Sequence, residues 1–370
     1  MNVQMTDLKA QYESIKDEIV LAVAEVIAQS NFILGKQVSL FEQEVAKYLD
    51  IKYAVTVASG TDALVLALAA LGIGAGDEVI TTPFTFIATA EAISRCGAIP
   101  VFCDIEPETF NLDPSKIEKK ITSKTKAILP VHLYGLACNM KEMVRIAKAN
   151  NLRVIEDCAQ SFGSEYGNKR LGGFGDCSCF SFFPAKTLGC YGDGGMVATN
   201  DEDVAQRLLS LRNHGQDSKN KYIYHMHGFN SRFDTLQAAV LRVKLKYIDK
   251  WITKRIENAR IYNDLLSGSK FLITPKVPQD LSHTFNYYTV RIGKNRDSVK
   301  DKLKEKGIPS AVYYPLCLHL QEVYKDLGYK QGDFPIAEQS QAEVLSLPMY
   351  AELTKEMIQN ICKELGDVPL

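Results

Sequence analysis

Lys186 sits in the run SFFPAKTLG (181–189), whose approach is apolar and whose turn is restricted by Pro184. An amine held there is partly desolvated. Desolvation lowers a lysine pKa from about 10.4 and frees the amine for Schiff-base chemistry. The plainer alternative is a solvated loop lysine. Asp157 closes the strand-like run LRVIED. A carboxylate at the carboxyl end of such a strand faces the ligand crevice of an α/β sheet, where it suits holding a pyridinium N–H. A helix cap or a surface acid is the alternative. Ser59-Gly60-Thr61 lies between a strand pattern and a helix pattern. Backbone N–H groups at a helix N-terminus, with two hydroxyls, make an anion site, and Gly60 permits close approach. An N-cap and turn would look the same. Gly189, Gly192, Gly194 and Gly195 match neither a Walker A loop nor a GxGxxG opening a helix. They read as a turn before the strand GGMVATN.

The elements that must position these residues alternate. VTVAS (55–59), EVITTP (78–83), PVFCDI (100–105), KAILPVHLYG (126–135), LRVIEDCA (152–159), CSCFSFF (177–183) and GGMVATN (194–200) read as strands. Helical patterns lie between them, such as Met140 to Asn150, and an amphipathic helix over 11–28 precedes them. The strands are nearly continuous apolar runs. That predicts an α/β fold with a mainly parallel sheet covered by helices on both faces. The last third differs, with long helical runs from Leu236 to Leu266, a strand YYTVRIG (287–293), and helices near 297–307 and 353–365. The expected organisation is a large domain over 1–250 and a smaller α+β domain over 251–370.

The 43 basic and 44 acidic residues nearly cancel, so nothing in the net charge points to nucleic acid or anionic membrane. The most apolar stretch, 63–75, is shorter than the ~20 residues a bilayer span needs. Charged residues interrupt the start of the chain, which excludes a signal-peptide pattern and predicts a cytoplasmic protein. The nine cysteines form no CxxC pair and sit in apolar runs, so they read as small buried hydrophobes. His225 and His227 form an HxH with no further ligand nearby; a polar loop is expected there, and no metal.

SGTDAL (59–64), TTPFTFIATA (81–90), IEDCAQSFG (155–163), SFFPAKTLGCYGDGG (181–195), RNHGQ (212–216) and GFNSRFDTLQAA (228–239), in this order, resemble the DegT/DnrJ/EryC1/StrS family of nucleotide-sugar aminotransferases. The resemblance runs from about Asp7 to Pro348. It implies a type I fold of pyridoxal-phosphate-dependent transferases. It also implies that Lys186 binds pyridoxal 5'-phosphate as a Schiff base and later shuttles the proton, and that Asp157 pairs with the pyridine nitrogen. By the same resemblance Gln160 contacts the phenolic oxygen, and Gly60, Thr61 and Ser181 bind the phosphate. Phe84, or else Phe86, stacks on the ring. Asn230 reaches the phosphate in a partner subunit, which implies a homodimer with shared sites.

Family members that are dehydratases carry histidine where this chain has Lys186. The implied partners are L-glutamate and a nucleotide-linked keto sugar, nearest to the UDP-linked 2-acetamido-3-oxo sugars aminated at C3. On that match Phe32, Arg232, Tyr313 and Tyr314 line the sugar site, and His319 faces the sugar or the surface. Relatives that use uronates have histidine at the position of Tyr313, which weighs against a sugar carboxylate, while the uronate stays an alternative because Arg232 suits a carboxylate of the sugar or of the donor glutamate. Three rivals stand beside this reading. They are a dTDP-3-keto-6-deoxyhexose aminotransferase, a non-catalytic cofactor-binding regulator, and a nicotinamide dehydrogenase, the last lacking its GxGxxG unit.

Overall fold

Seven short, almost fully buried strands make the central sheet: β1 (Tyr53–Val57), β2 (Glu78–Thr81), β3 (Ile99–Phe102), β4 (Thr125–Leu129), β5 (Arg153–Asp157), β6 (Cys177–Ser181) and β7 (Gly195–Thr199). This computed structural model describes residues 3–293 and 295–366. The strand order is β1-β7-β6-β5-β4-β2-β3, and only β7 runs against its neighbours. The apolar runs are explained by the two cores that the sheet separates. Val79, Ala127, Leu129 and Ile155 face one core, whereas Ile80, Ile128 and Val154 face the other. Every second side chain turns to the opposite face, so strands covered on both sides need apolar residues throughout.

The first core is covered by α3 (Gly60–Ala70) and α4 (Ala88–Arg95). On the other face lie α1 (Leu8–Gln29), α2 (Lys36–Leu49), α5 (Met140–Ala149) and α7 (Thr235–Leu245), with α6 (Glu202–Leu211) on the α3 side. A second antiparallel sheet joins β8 (Leu272–Ile273), β9 (Tyr288–Ile292) and β10 (Val344–Leu347) in that order. It has its own core, with Val299, Leu303, Ile358 and Ile361 from flanking helices. Residue 250 lies inside the continuous helix α8 (Ile248–Leu266). The start of α8 (Ile248, Trp251, Ile252) packs on the large core, and its end (Ala259, Tyr262, Leu266) packs on the small one. One rigid element is therefore shared between the two sheets. No helix among the described residues is long and apolar enough to cross a membrane.

Candidate active site

The sheet register brings three separate segments to one point. Val57 of β1 pairs with Gly195 of β7, which pairs with Ser181 at the end of β6. A Cβ at Gly195 would strike the Ser59 carbonyl, and one at Gly60 would lie 2.6 Å from the Ser181 Cβ. Only glycine lets the first turn of α3 settle against β6. The Ser59 hydroxyl accepts from the Asp62 N–H at 3.1 Å, so it caps the helix. The capping and anion-site readings thus hold together: Ser59 caps, while Gly60 and Thr61 open on a cavity of about 660 Å³ with Ser181.

Asp157 is 4% exposed and lies at the inner end of that cavity. Its Oδ2 accepts from the Thr89 hydroxyl at 2.9 Å and its Oδ1 from the Ala159 N–H at 3.1 Å. Burial pushes its carboxyl up; Ala159, Thr89 and the Lys186 charge oppose that push. Lys186 follows β6 on a turn closed by its own N–H donating to the Phe183 carbonyl at 2.9 Å. The side chain is half-buried because part of it lines the cavity. Among the described residues its amine makes no hydrogen bond or ion pair. Burial pulls its pKa down to about 8, with Asp157 acting in the other direction. The cavity therefore holds a carboxylate with no cation bonded to it and an amine that gives up its proton more readily than a lysine in water. A protonated ring nitrogen would complete the first, and an aldehyde would take the second. The donor set fits a pyridoxal-type cofactor with its phosphate at the α3 N-terminus.

Gln160 is oriented by its surroundings. Its Oε1 accepts from the Tyr134 N–H at 2.7 Å, and its Nε2 donates to the Tyr314 hydroxyl at 3.0 Å. The amide therefore presents N–H, not C=O, on the Tyr314 side of the cavity. Tyr313 and Tyr314 arrive on a strap from the small sheet, anchored by the Ala311–Ser346 bridge. The Tyr134 hydroxyl donates to the Tyr313 carbonyl and ties this strap to the large sheet. Thr89, Tyr134 and Tyr287 were not singled out from the sequence, yet Thr89 and Tyr287 line the cavity and Tyr134 braces it.

Several expected residues lie elsewhere. Phe84 is fully buried and packs on Phe110 and Tyr314, outside the cavity; Phe86 is the lining aromatic. His319 does not face the cavity. It is 2% exposed, stacks edge-on against Phe334 and pairs through Nε2 with Glu338 at 3.1 Å. Phe32, Asn230 and Arg232 are not among the lining residues of the same chain. Phe32 and Asn230 are exposed, and Arg232 donates to the Asn213 side-chain carbonyl at 3.1 Å. His225 pairs with Asp217 on an exposed loop. His132, Glu156 and Cys158 come together behind the sheet. There Glu156 accepts from three backbone N–H groups and His132, and His132 Nδ1 accepts from the Cys138 N–H. The Glu156 carboxylate and both His132 nitrogens are thereby engaged in holding the loops around β5.

Comparison with known proteins identifies relatives in sequence and in fold. The sequence model of the DegT/DnrJ/EryC1/StrS aminotransferase family matches residues 13–366. The chain is 48% identical to a pleiotropic regulatory protein of Geobacillus stearothermophilus, covering 99% of this chain and 98% of that one. It is 43% identical to a UDP-N-acetyl-3-dehydro-alpha-D-glucosamine 3-aminotransferase of Acidithiobacillus ferrooxidans, covering 97% and 96%. The crystal structure of DesV from S. venezuelae, in complex with a ketimine intermediate, superposes with a TM-score of 0.95. It shares 39% identity, and 98% of this chain and 97% of that chain are covered.

Proposed function

Because the chain belongs to the DegT/DnrJ/EryC1/StrS aminotransferase family, we propose that this pyridoxal-phosphate-dependent sugar aminotransferase moves an amino group from L-glutamate to C3 of a UDP-linked 2-acetamido-3-oxo-hexose. The observation that carries the chemistry is the unpaired Lys186 amine facing the same cavity as the buried Asp157 carboxylate. When bound, pyridoxal phosphate supplies an electron sink for the carbanion at the amino-bearing carbon. Lys186 anchors it through Nζ and, once displaced, carries the proton to and from that carbon. Asp157 keeps a proton on the ring nitrogen. Gln160 donates to the phenolic oxygen. Gly60, Thr61 and Ser181 hold the phosphate.

We assign the stacking contact to Phe86, and this has a testable consequence. Phe86 is 54% exposed. Phe86→Ala should leave the stability of the apoprotein nearly unchanged and weaken cofactor retention several-fold, since an aromatic pair contributes about 0.5–1.5 kcal/mol. Phe84→Ala should cost about 3–5 kcal/mol of folding stability, because it empties a core site. Denaturant melts and cofactor dissociation rates measure both. The opposite pattern would return the role to Phe84.

Sugar preference rests on two observations. Relatives at 43% identity over nearly the whole chain are named for UDP-linked and for dTDP-linked 3-amino sugars, which supports amination at C3 and leaves the nucleotide to assay. Tyr313 lines the cavity at the position where uronate-using relatives carry histidine, which suits a neutral hexose. Reverse assays with 2-oxoglutarate and either a UDP-linked or a dTDP-linked 3-amino sugar decide the nucleotide. The UDP substrate should lead in kcat/KM on the order of 10²-fold; a lead for the dTDP sugar overturns the assignment. A shift of the cofactor absorbance on adding glutamate separates an enzyme from a regulator that merely binds cofactor.

Asn230, Arg232 and Phe32 enter this reading through a second copy of the chain. Exposed apolar residues Phe183, Tyr191, Tyr222, Ile223, Tyr224 and Phe229 support a homodimer that covers them and shares its sites.

A further inference from the structure

Lys244 is 1% exposed, yet it takes no part in the chemistry above. Its ammonium donates to the Gly189 carbonyl at 2.6 Å and lies 4.6 Å from the centre of the Tyr191 ring. Among the described residues no carboxylate lies within ion-pair distance of it. Burying an ammonium without a counter-ion costs several kcal/mol. Burial pulls its pKa down to about 8, opposed by Cys190 and Glu352.

The carbonyl it holds is placed for one purpose. The Cys190 N–H donates to the Phe182 carbonyl at 2.8 Å, closing a loop whose middle residue is Lys186. Gly189 is the tight point of that loop: a Cβ there would stand 2.7 Å from the Phe183 carbonyl oxygen. One residue past the closure, the Tyr191 N–H donates to Gln237 Oε1 at 2.8 Å. Gln237 and Lys244 both belong to α7, a helix packed against α1 and α2, and neither side chain lines the cavity.

We propose that Lys244 is a positioning residue: from α7 its ammonium pins Gly189 and, with Gln237 on Tyr191, fixes the exit of the loop so that the Lys186 amine stays aimed into the cavity. The proposal rests on Lys186 carrying the cofactor. A leucine or methionine at 244 would fill the same volume without the cost of the charge, but it would leave the Gly189 carbonyl unheld. The loop could then slide by a fraction of a residue while Leu188, fully buried, kept it folded.

The test is Lys244→Met in the full-length holoenzyme. The variant should melt at or above the wild-type temperature and bind cofactor. Its visible circular dichroism, which reports how the bound ring is held, should collapse. Its kcat should fall on the order of 10²-fold, the effect of a displacement of about 1 Å, with KM for the sugar little changed. A purely structural lysine would give the reverse: a lower melting temperature, with wild-type dichroism and kcat in the folded fraction, and that result overturns the proposal. If Lys244→Met does not fold, Gln237→Leu removes the other clamp at a half-buried site and is read the same way. Borohydride reduction and peptide mapping of the wild type separate the two levels. Label absent from Lys186 sinks the cofactor assignment, whereas label present with unaltered variants sinks only the clamp.

Discussion

Lys186→Ala is expected to lower kcat by at least about 10⁴-fold, because one side chain supplies both the attachment of the cofactor and the positioned proton transfer. Cofactor can still enter the variant, since Gly60, Thr61, Ser181, Asp157 and Gln160 remain, but its long-wavelength absorbance should be missing. The wild-type amine should also reveal its pKa of about 8. Below that pH the group is an ammonium with no lone pair to attack an aldehyde, and above it the amine is free. The rate at which apoprotein captures pyridoxal phosphate should therefore rise with pH and level off beyond a midpoint near 8. A lysine in water would keep climbing toward its ordinary pKa of about 10.4. A variant that turns over at a near-normal rate, or a capture midpoint close to the solvent value, would remove Lys186 from its role.

The second large effect is expected for Asp157→Asn. The substitution keeps an acceptor for the Ala159 N–H and turns an amide donor toward the Thr89 hydroxyl, but it removes the negative charge that holds the ring nitrogen protonated. Loss of one preorganised electrostatic contact of this kind lowers kcat on the order of 10²–10³-fold. Stability should move the other way. Burial raises the carboxyl pKa of Asp157 in the folded state. An acid shifted in that direction costs stability once the pH exceeds its unfolded pKa, since the folded protein must then carry a charge it disfavours. At neutral pH the variant apoprotein should melt at or above the wild-type temperature while the holoenzyme loses most of its activity. A variant with unimpaired turnover, or with apoprotein stability sharply reduced, would show that Asp157 serves the fold and not the chemistry.

Much of this was legible in the sequence, for identifiable reasons. Long apolar runs marked β1 to β7, with the run 126–135 overshooting its strand, because strands buried on both faces are mostly apolar. They admit polar side chains such as Glu156 and Ser178 only where these are hydrogen-bonded. Asp157 and Lys186 follow apolar runs, but the ordered set of family motifs around them, and not that placement alone, marks them out. The reversed direction of β7 was not legible, since pairing direction leaves no local mark. Nor was α2, whose pattern was passed over although four of its side chains are buried. Phe84 and Phe86 are two residues apart in a turn with no periodicity to tell inside from outside. Thr89 serves Asp157 across 68 residues of chain, and such a partnership exists only in three dimensions. His319 carried a misleading signal: a histidine near two site tyrosines, committed instead to Glu338. Asn230 and Arg232 do not line their own cavity, so one chain alone gives them no ligand to meet.

The strap that delivers Tyr313 and Tyr314 divides labour inside the enzyme. Bond-making groups descend from one sheet, while these two tyrosines hang from another by the Ala311–Ser346 bridge. On the proposed reading, in which Tyr313 and Tyr314 line the sugar site, mutations along the strap should retune which sugar is admitted while Lys186 and Asp157 stay in place on the large sheet. A lineage built this way can change its diet while conserving its chemistry.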